Sequence, residues 1–598
     1  MYFRTKFIKG TPLVQLVQSF RNDEGQPRQR VIASLGDAKL PEADKPLIAE
    51  AVERQLQGVR DFLDSSLSGV AASWVARIVQ LAGSSKSAAP VASESVDGVI
   101  LEKIETSDIV QLGPQLVALQ AWEELRFTPI LEELGLNASQ IATAQLMISN
   151  RLIEPLSEWA LIDWSQRTAL PELLGIRMTK STKDRLYQTS DELLAHRKTI
   201  ETKLREREAD LFSLSRSVIL YDVTNTHFEG ICEKNPKARH GKNKQNRNDC
   251  RQVSIGVAFD EHGLPLAHEV FEGNMADTKT LKTVLDRLEI KDGGLKPVVV
   301  IDAGFYSKEN ITMLKDGGYS YMINITRGSR AEYAELFKKE TFEALPGRKE
   351  DQKVEVKRIT DPDDASSQLL LCRSAQRRLK EEAMVSKAEA RFLADVKVLN
   401  ERIQKGRLKK AALIERKIGA LQKKHPRIQR FYTLNHENGE LVAVRNNDKL
   451  EEAINLCGDY VLKTDKVLSA PELWDLYMTL LKAEEGFSML KGALGLRPNY
   501  HQLEERVDGH VFISVLAYHL LSWIRVRFES SGDARDWRTI RRILSTHSIT
   551  TTSLALIDGR IINIRKSSVP DAEQALIYKI LGIDWKSAFK TKKTELPA

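Results

Sequence analysis

At 598 residues and 67.5 kDa the chain exceeds what one hydrophobic core supports, so several domains are expected. Its 89 Lys and Arg against 82 Asp and Glu give only +7, and the distribution says more than the sum. The segment Gln376 to Arg427 holds sixteen Lys/Arg and six Asp/Glu, net +10, which leaves about -3 for the rest; Lys234 to Arg251 holds seven Lys/Arg against one Asp. The four cysteines lack Cys-x-x-Cys or His spacing that would suggest zinc and are expected to be reduced thiols of a cytosolic chain. Met1 leads into Tyr2-Phe3-Arg4-Thr5-Lys6 without an apolar run, so no signal peptide is expected. The longest apolar stretch, Val511 to Ile524, is too short for a bilayer and predicts a buried helix, with no membrane partner.

In chain order, residues 1–36 alternate apolar and polar around turns at Lys9-Gly10 and Asn22-Asp23-Glu24-Gly25, which predicts a small antiparallel unit. Helical periodicity runs to about Ala82, giving a β unit plus helices over 1–82, and the Ser/Ala/Val-rich stretch 83–98 reads as a linker. Residues 99–215 read as mostly helical. One helix ends at Leu134-Gly135-Leu136, a second starts near Ser139, and Thr189-Ser190-Asp191-Glu192 reads as a capping box before a long helix. The pair around Gly135 is either a helix-turn-helix or ordinary helical packing.

The segments Ser217–Tyr221 and Pro297–Ile301 are short, β-branched and nearly uncharged, so they predict buried strands that stop at Asp222 and Asp302. Between them Gln252–Phe259 and Leu266–Phe271 form a hairpin through Asp260-Glu261-His262-Gly263. Thr278–Leu288 reads as a helix, and Tyr319–Ile325 as a further strand. Residues 331–450 interrupt this core. Phe392, Val396, Leu399 and Ile403 make one helical seam, Gly406 breaks it, Ala411, Ile414, Ile418 and Leu421 make the next, and Pro426 stops it; strand-like pieces at 353–359, 368–372 and 440–444 flank the hairpin. The core resumes over 451–530, where one helix from Pro471 to Leu494 carries Tyr477, Leu480, Glu484, Phe487 and Lys491 on one face, with Glu485 turned about 100° away. The tail, 531–598, holds an Arg-rich helix at 535–544, a hairpin through Asp558-Gly559 and a final helix from Asp571.

A lone strand-end Asp is usually a turn residue and a lone helical Glu is usually solvated, so the combination carries the signal. The order β-β-β-α-β-α-β over 216–330 and 451–530 is that of a ribonuclease-H-like core, a mixed five-stranded sheet flanked by helices. The chain resembles DDE transposases of the insertion-sequence-4 superfamily, closest to the branch named after insertion sequence 1634. The signature Tyr, two residues, Arg, three residues, Glu, six residues, Lys reads here Tyr477, Leu480, Glu484, Lys491, with leucine in the arginine slot. Tyr221-Asp222-Val223-Thr224, His240-Gly241-Lys242, Glu272-Gly273-Asn274 with Asp277, Asp302-Ala303-Gly304-Phe305, and Leu496-Arg497-Pro498 through Gly509-His510 fall in the same order.

The resemblance implies a transposase in which Asp222, Asp302 and Glu484 hold two Mg²⁺ or Mn²⁺ ions about 3.5–4 Å apart. Asp222 would bridge both ions. It implies nicking at transposon ends and joining of the freed 3′-OH to target DNA, by a homodimer on paired ends in the bacterial nucleoid. Lys491 would contact the DNA backbone, and Tyr477 would either pack or hydrogen-bond beside it. Lys242, Lys244, Arg247 and Arg251 make the basic loop expected on double-stranded DNA. For the hairpin of the 331–450 insertion the alternative to DNA contact is a solvated charged face. Two other classes fit the same residues: a nuclease of this fold that cleaves without joining, and a non-catalytic DNA-binding derivative.

Overall fold

The computed structural model describes residues 1–8, 11–21, 26–36, 38, 40–56, 69–84, 95–179, 183–241, 247, 249–288, 296–326, 328–346 and 352–597. The chain divides into two compact units, Met1–Glu105 with Ser553–Asn563 and Thr594–Ala598, and Thr106–Thr552 with Ile564–Lys593. In the first, strands Tyr2–Ile8, Thr11–Arg21 and Pro27–Ser34 form an antiparallel sheet, as the alternation predicts. Helices Lys45–Leu56 and Gly69–Ser84 close a core around Leu16, Ile48, Val52 and Ile78. The expected turns at Lys9-Gly10 and Asn22–Gly25 and most of the expected linker lie outside the described residues.

The second unit is built on a mixed sheet whose strands, in chain order, are β1 (Val218–His227), β2 (Gln252–Phe259), β3 (Pro265–Glu272), β4 (Val298–Ile301), β5 (Ser320–Asn324), β6 (Glu343–Ala344), β7 (Val354–Asp361), β8 (Asp364–Ser374) and β9 (Asp459–Thr464). Across the sheet the order is β6-β7-β8-β9-β5-β4-β1-β2-β3. The five strands expected from the sequence lie side by side, with β1 parallel to β4 and antiparallel to β2. The sheet is nevertheless nine-stranded rather than five-stranded. β9 pairs antiparallel with β5 on one side and β8 on the other, so part of the 331–450 insertion continues the sheet.

Residue alternation divides the sheet's two faces. Ile219, Tyr221, Val299, Ile301, Tyr321 and Ile323 pack with helices Leu281–Leu288 and Lys308–Asp316 on one side. Val218, Leu220, Val298, Val300 and Met322 join the main core on the other, with helices α1 (Ala138–Ile153), α2 (Ala470–Met478), α3 (Leu480–Lys491) and α4 (Glu504–Ser530). By length and composition α4 would cross a membrane, but it is buried in this core, the place the sequence predicts for it. α1 is buried over nearly all its length, which favours the packing reading of the pair around Gly135. Thr189–Glu192 lies inside helix Lys183–Ala195 and caps nothing; the helix start is set further upstream. The predicted helical hairpin forms, Ala375–Gln404 and Ala411–Lys424, around Phe392, Val396, Ile414 and Ile418.

The β2–β3 turn exacts a pH-dependent cost. Asp260 is fully buried; its Oδ1 accepts the His262 and Leu264 N–H groups at 2.9 Å. Burial, only partly offset by those bonds, pushes its carboxyl up to about 6. A folded-state value above the unfolded one means that the stabilisation is full below about pH 4 and is lost as pH rises through about 6. Asp260→Asn keeps the Oδ1 acceptor without the charge. Urea unfolding should therefore find it more stable than wild type at pH 7, by up to about 3 kcal/mol, with the gain vanishing near pH 4.

Candidate functional site

Asp222 is not at a strand end. β1 runs on to His227 because residues 222–227 stay paired with β2, whereas the β1–β4 ladder stops at Tyr221↔Ile301. The next residue on each strand is Asp222 and Asp302, so the register sets the two aspartates side by side, on strands about 4.8 Å apart. Alternation puts both on the face of Val218, Leu220, Val298 and Val300, the face covered by α2 and α3. Asp222 is half-buried, and its Oδ1 accepts the Val223 N–H at 2.7 Å; Asp302 is exposed and precedes the 3-10 turn Ala303–Phe305.

The expected single helix over 471–494 is two helices, broken at Thr479, whose hydroxyl donates to the Leu476 carbonyl at 2.6 Å. α3 packs against β1 and β2 and buries Leu480, Ala483, Gly486, Phe487 and Leu490. Its approach is close: a Cβ on Gly486 would fall 2.8 Å from Phe259 Cε1 and 2.9 Å from Tyr518 Oη. The predicted stripe is therefore split. Leu480 and Phe487 are buried while Glu484 and Glu485 are exposed, and Glu485 lies 3.6 Å from Lys482. Lys491 Nζ stands 5.3 Å over the Phe487 ring.

Tyr477 hangs from the end of α2 beside the aspartates. Its hydroxyl accepts from Asn324 Nδ2 at 3.0 Å, and burial, reinforced by the Asp302 charge, raises its pKa far above the usual phenol range. Sequence reasoning did not single out Asn324; the available signal was a polar residue ending an apolar strand on the aspartates' face. Asp277 also approaches the site, its Oδ2 being 3.3 Å from where a Cβ on Gly304 would lie.

The basic loop is only partly described, and Lys242 and Lys244 lie outside the described residues. Arg247 bonds both oxygens of Asp249, Nε to Oδ1 at 3.0 Å and Nη2 to Oδ2 at 3.1 Å, and Arg251 donates to the Cys232 carbonyl at 3.3 Å.

Among the described residues, three ligand atoms come within 4.8 Å of one another only at Glu158, His501 and His510. That group is a poor cation site. Arginine can only donate, so Arg151 Nη2, 3.3 Å from His510 Nδ1, faces a lone pair, and burial together with the Arg151 charge holds His510 well below the usual imidazole range. Asp222, Asp302 and Glu484 do not converge on one point, but their donors, carboxylate oxygens without sulfur or nitrogen, suit hard divalent cations.

A model of the transposase DDE domain matches residues 213–520, and one of the N-terminal domain of IS1634 family transposases matches residues 3–68. No curated protein matches the chain. A solved piggyBac transposase, in a synaptic complex with hairpin DNA, is 11% identical, with 69% of this chain and 70% of that one covered at a TM-score of 0.34.

Leu480, in the arginine slot, is 8% exposed and belongs to the main core. Leu480→Arg should lower stability by about 3 kcal/mol or more in urea unfolding, because the charge would enter the core unpaired. Leu480→Met should cost less than about 1.5 kcal/mol.

Proposed function

The chain belongs to the DDE transposases, in the IS1634 branch, and on that premise we propose that Asp222, Asp302 and Glu484 are its metal ligands and catalytic acids. The enzyme cleaves and joins DNA, and its family uses divalent metal ions. What carries the assignment is the β1–β4 register, which sets Asp222 and Asp302 side by side on the face covered by the helix of Glu484. The order β3-β2-β1-β4-β5 supports a ribonuclease-H-like core lengthened by four strands. The proposed division is 1–82, a linker at 83–98, a DNA-end-binding region at 99–215, core at 216–330 and 451–530, an insertion at 331–450, and a tail at 531–598.

Asp222, Asp302 and Glu484 would together hold two Mg²⁺ or Mn²⁺ ions. Bound there, such ions lower the pKa of an attacking water or 3′-hydroxyl and stabilise the leaving oxygen. The protein's own part is placement. Asn324 and Tyr477 brace the wall beside Asp302, and Lys491 sets a positive charge two turns beyond Glu484, where it would offset a backbone phosphate. Arg247, Arg251 and the sequence-identified Lys242 and Lys244 would extend the contact along the duplex. Two copies on paired ends, acting on nucleoid DNA in the cytoplasm, make the proposed active form.

Asp222→Ala, Asp302→Ala and Glu484→Ala should each abolish cleavage of end-bearing duplex while leaving its binding within about threefold, and Glu485→Ala should cleave nearly as wild type. Chelation with EDTA should stop cleavage and Mg²⁺ or Mn²⁺ restore it. An active Glu484→Ala beside an inactive Glu485→Ala would overturn the helix register, and joining of labelled ends to a target separates a transposase from a simple nuclease.

The hairpin of the insertion offers a separate test. Lys405 and Lys424 pair with Glu401 and Asp395, whereas Lys409 and Lys410 stand exposed between its helices. Neutralising Lys405, Arg407, Lys409, Lys410, Lys423 and Lys424 should weaken duplex binding and reduce the slope of log affinity against log salt by about 0.9 for each phosphate no longer neutralised. An unchanged slope would assign the hairpin to solvent.

A further inference from the structure

The loop between α3 and α4 is held from three sides. Thr226 Oγ1 donates to the Leu496 carbonyl at 3.1 Å, and the Asn499 N–H donates to the His227 carbonyl at 3.0 Å. His501 Nε2 lies 3.3 Å from Glu158 Oε1, and a Cβ on Gly495 would sit 2.7 Å from Pro155 Cβ. Arg497 therefore rises from a fixed backbone.

Its guanidinium is half-buried, yet among the described residues no carboxylate, carbonyl or ring partners it. Several other half-buried arginines of the same unit pair with carboxylates: Arg197 and Arg287 with Glu269 at 2.9 and 2.7 Å, Arg330 with Glu381 at 3.1 Å, Arg506 with Asp191 at 2.6 Å. Burial lowers the Arg497 pKa, and burial followed by the Arg247 and Arg497 charges holds His227 below its usual value. A partly dehydrated guanidinium with five donors and no acceptor is costly unless an anion completes it.

We propose that Arg497 binds a backbone phosphate of the DNA strand leading away from Asp222 and Asp302. The proposal rests on the transposase reading above. Leu496 and Asn499 bond β1 at Thr226 and His227, four and five residues beyond Asp222. At about 3.4 Å per residue that is roughly 14–17 Å from the acids. The same distance covers about four or five nucleotides at about 3.4 Å each along one strand. Planar and forked, the guanidinium fits a phosphodiester bidentately.

The test uses the full-length protein and a random-sequence duplex as probe, with affinity read by fluorescence anisotropy over a salt series. Arg497→Gln should lose about tenfold or more in affinity, and the slope of log affinity against log salt should fall by about 0.9. Arg497→Lys should keep the slope and fall between the two in affinity, since it keeps charge but loses the fork. Phenylglyoxal labelling of the wild-type chain, read by mass spectrometry, needs no variant to fold; the duplex should protect Arg497. Folded variants with unchanged affinity and slope, or labelling equal with and without duplex, overturn the proposal. So does protection by inorganic phosphate alone, which would make this a free-anion site. Metal-dependent cleavage by the same wild-type preparation is scored separately: cleavage without an Arg497 effect sinks only the phosphate contact, and protection without cleavage counts only against the catalytic reading.

Discussion

The candidate site depends on a mismatch in length between two neighbouring strands. β4 ends at Ile301, while its parallel partner β1 continues past Tyr221 for six more residues against β2. The sheet therefore has a step, and Asp222 and Asp302 stand on it. Their facing is set by the apolar residues before them. Val218 and Leu220 must enter one core and Ile219 and Tyr221 the other, and a slip of one residue would reverse every side chain on the strand. Each such buried side chain contributes about 1.5–3 kcal/mol. The hydrophobic pattern thus orients carboxylates that contribute nothing to it.

Beyond the step, the backbone that β4 does not cover is met by other parts of the chain. α3 lies over β1 and β2, and Phe259 of β2 and Tyr518 of α4 come so close to Gly486 that it has no room for a side chain. The loop after α3 then bonds Thr226 and His227. This packing also explains the leucine in the signature. One helical turn before Glu484, position 480 is buried in the main core, so in this chain an apolar contact there anchors the helix where the signature has a cation.

What was legible in the sequence was local. The β-branched runs, the hairpin through Asp260 and the two seams of the helical hairpin each carry their period within a dozen residues, and each formed. The pairing of β9 with β5 joins residues about 140 positions apart, and nothing local marks it. Thr189–Glu192 has the composition of a cap but lies within a helix whose Leu186 and Leu193 are buried, so tertiary packing overrode the local preference. The break at Thr479 was likewise hidden, since Tyr477, Glu484 and Lys491 keep their spacing across it. Of the site, the acids could be read as candidates, but their adjacency could not, because it depends on where β4 stops. Arg497 could be read only as part of a motif; that it lacks a partner among the described residues depends on every neighbour the fold supplies.

The nine-stranded sheet also decides how the insertion connects to the elements that carry the candidate acids. The chain leaves the five core strands after β5, forms β6, β7 and β8, and enters the helical hairpin through Ser374, whose hydroxyl accepts the Arg377 N–H at 3.3 Å. It returns as β9, inserted between β8 and β5, and only then reaches α2 and α3. Asp465, just past β9, accepts the Tyr321 N–H of β5 at 3.0 Å. The hairpin thus begins directly after β8, while the paired strands Tyr432–Glu437 and Glu440–Arg445 and helix Asn447–Asn455 lie between its end and β9. The hairpin has its own core around Phe392 and Ile418, so its basic surface can vary without disturbing the acids. A change that loosened β9 would reach α2 directly, because Trp474 Nε1 donates to the Tyr460 hydroxyl of β9 at 3.0 Å and the Tyr460 and Tyr477 rings lie 6.4 Å apart.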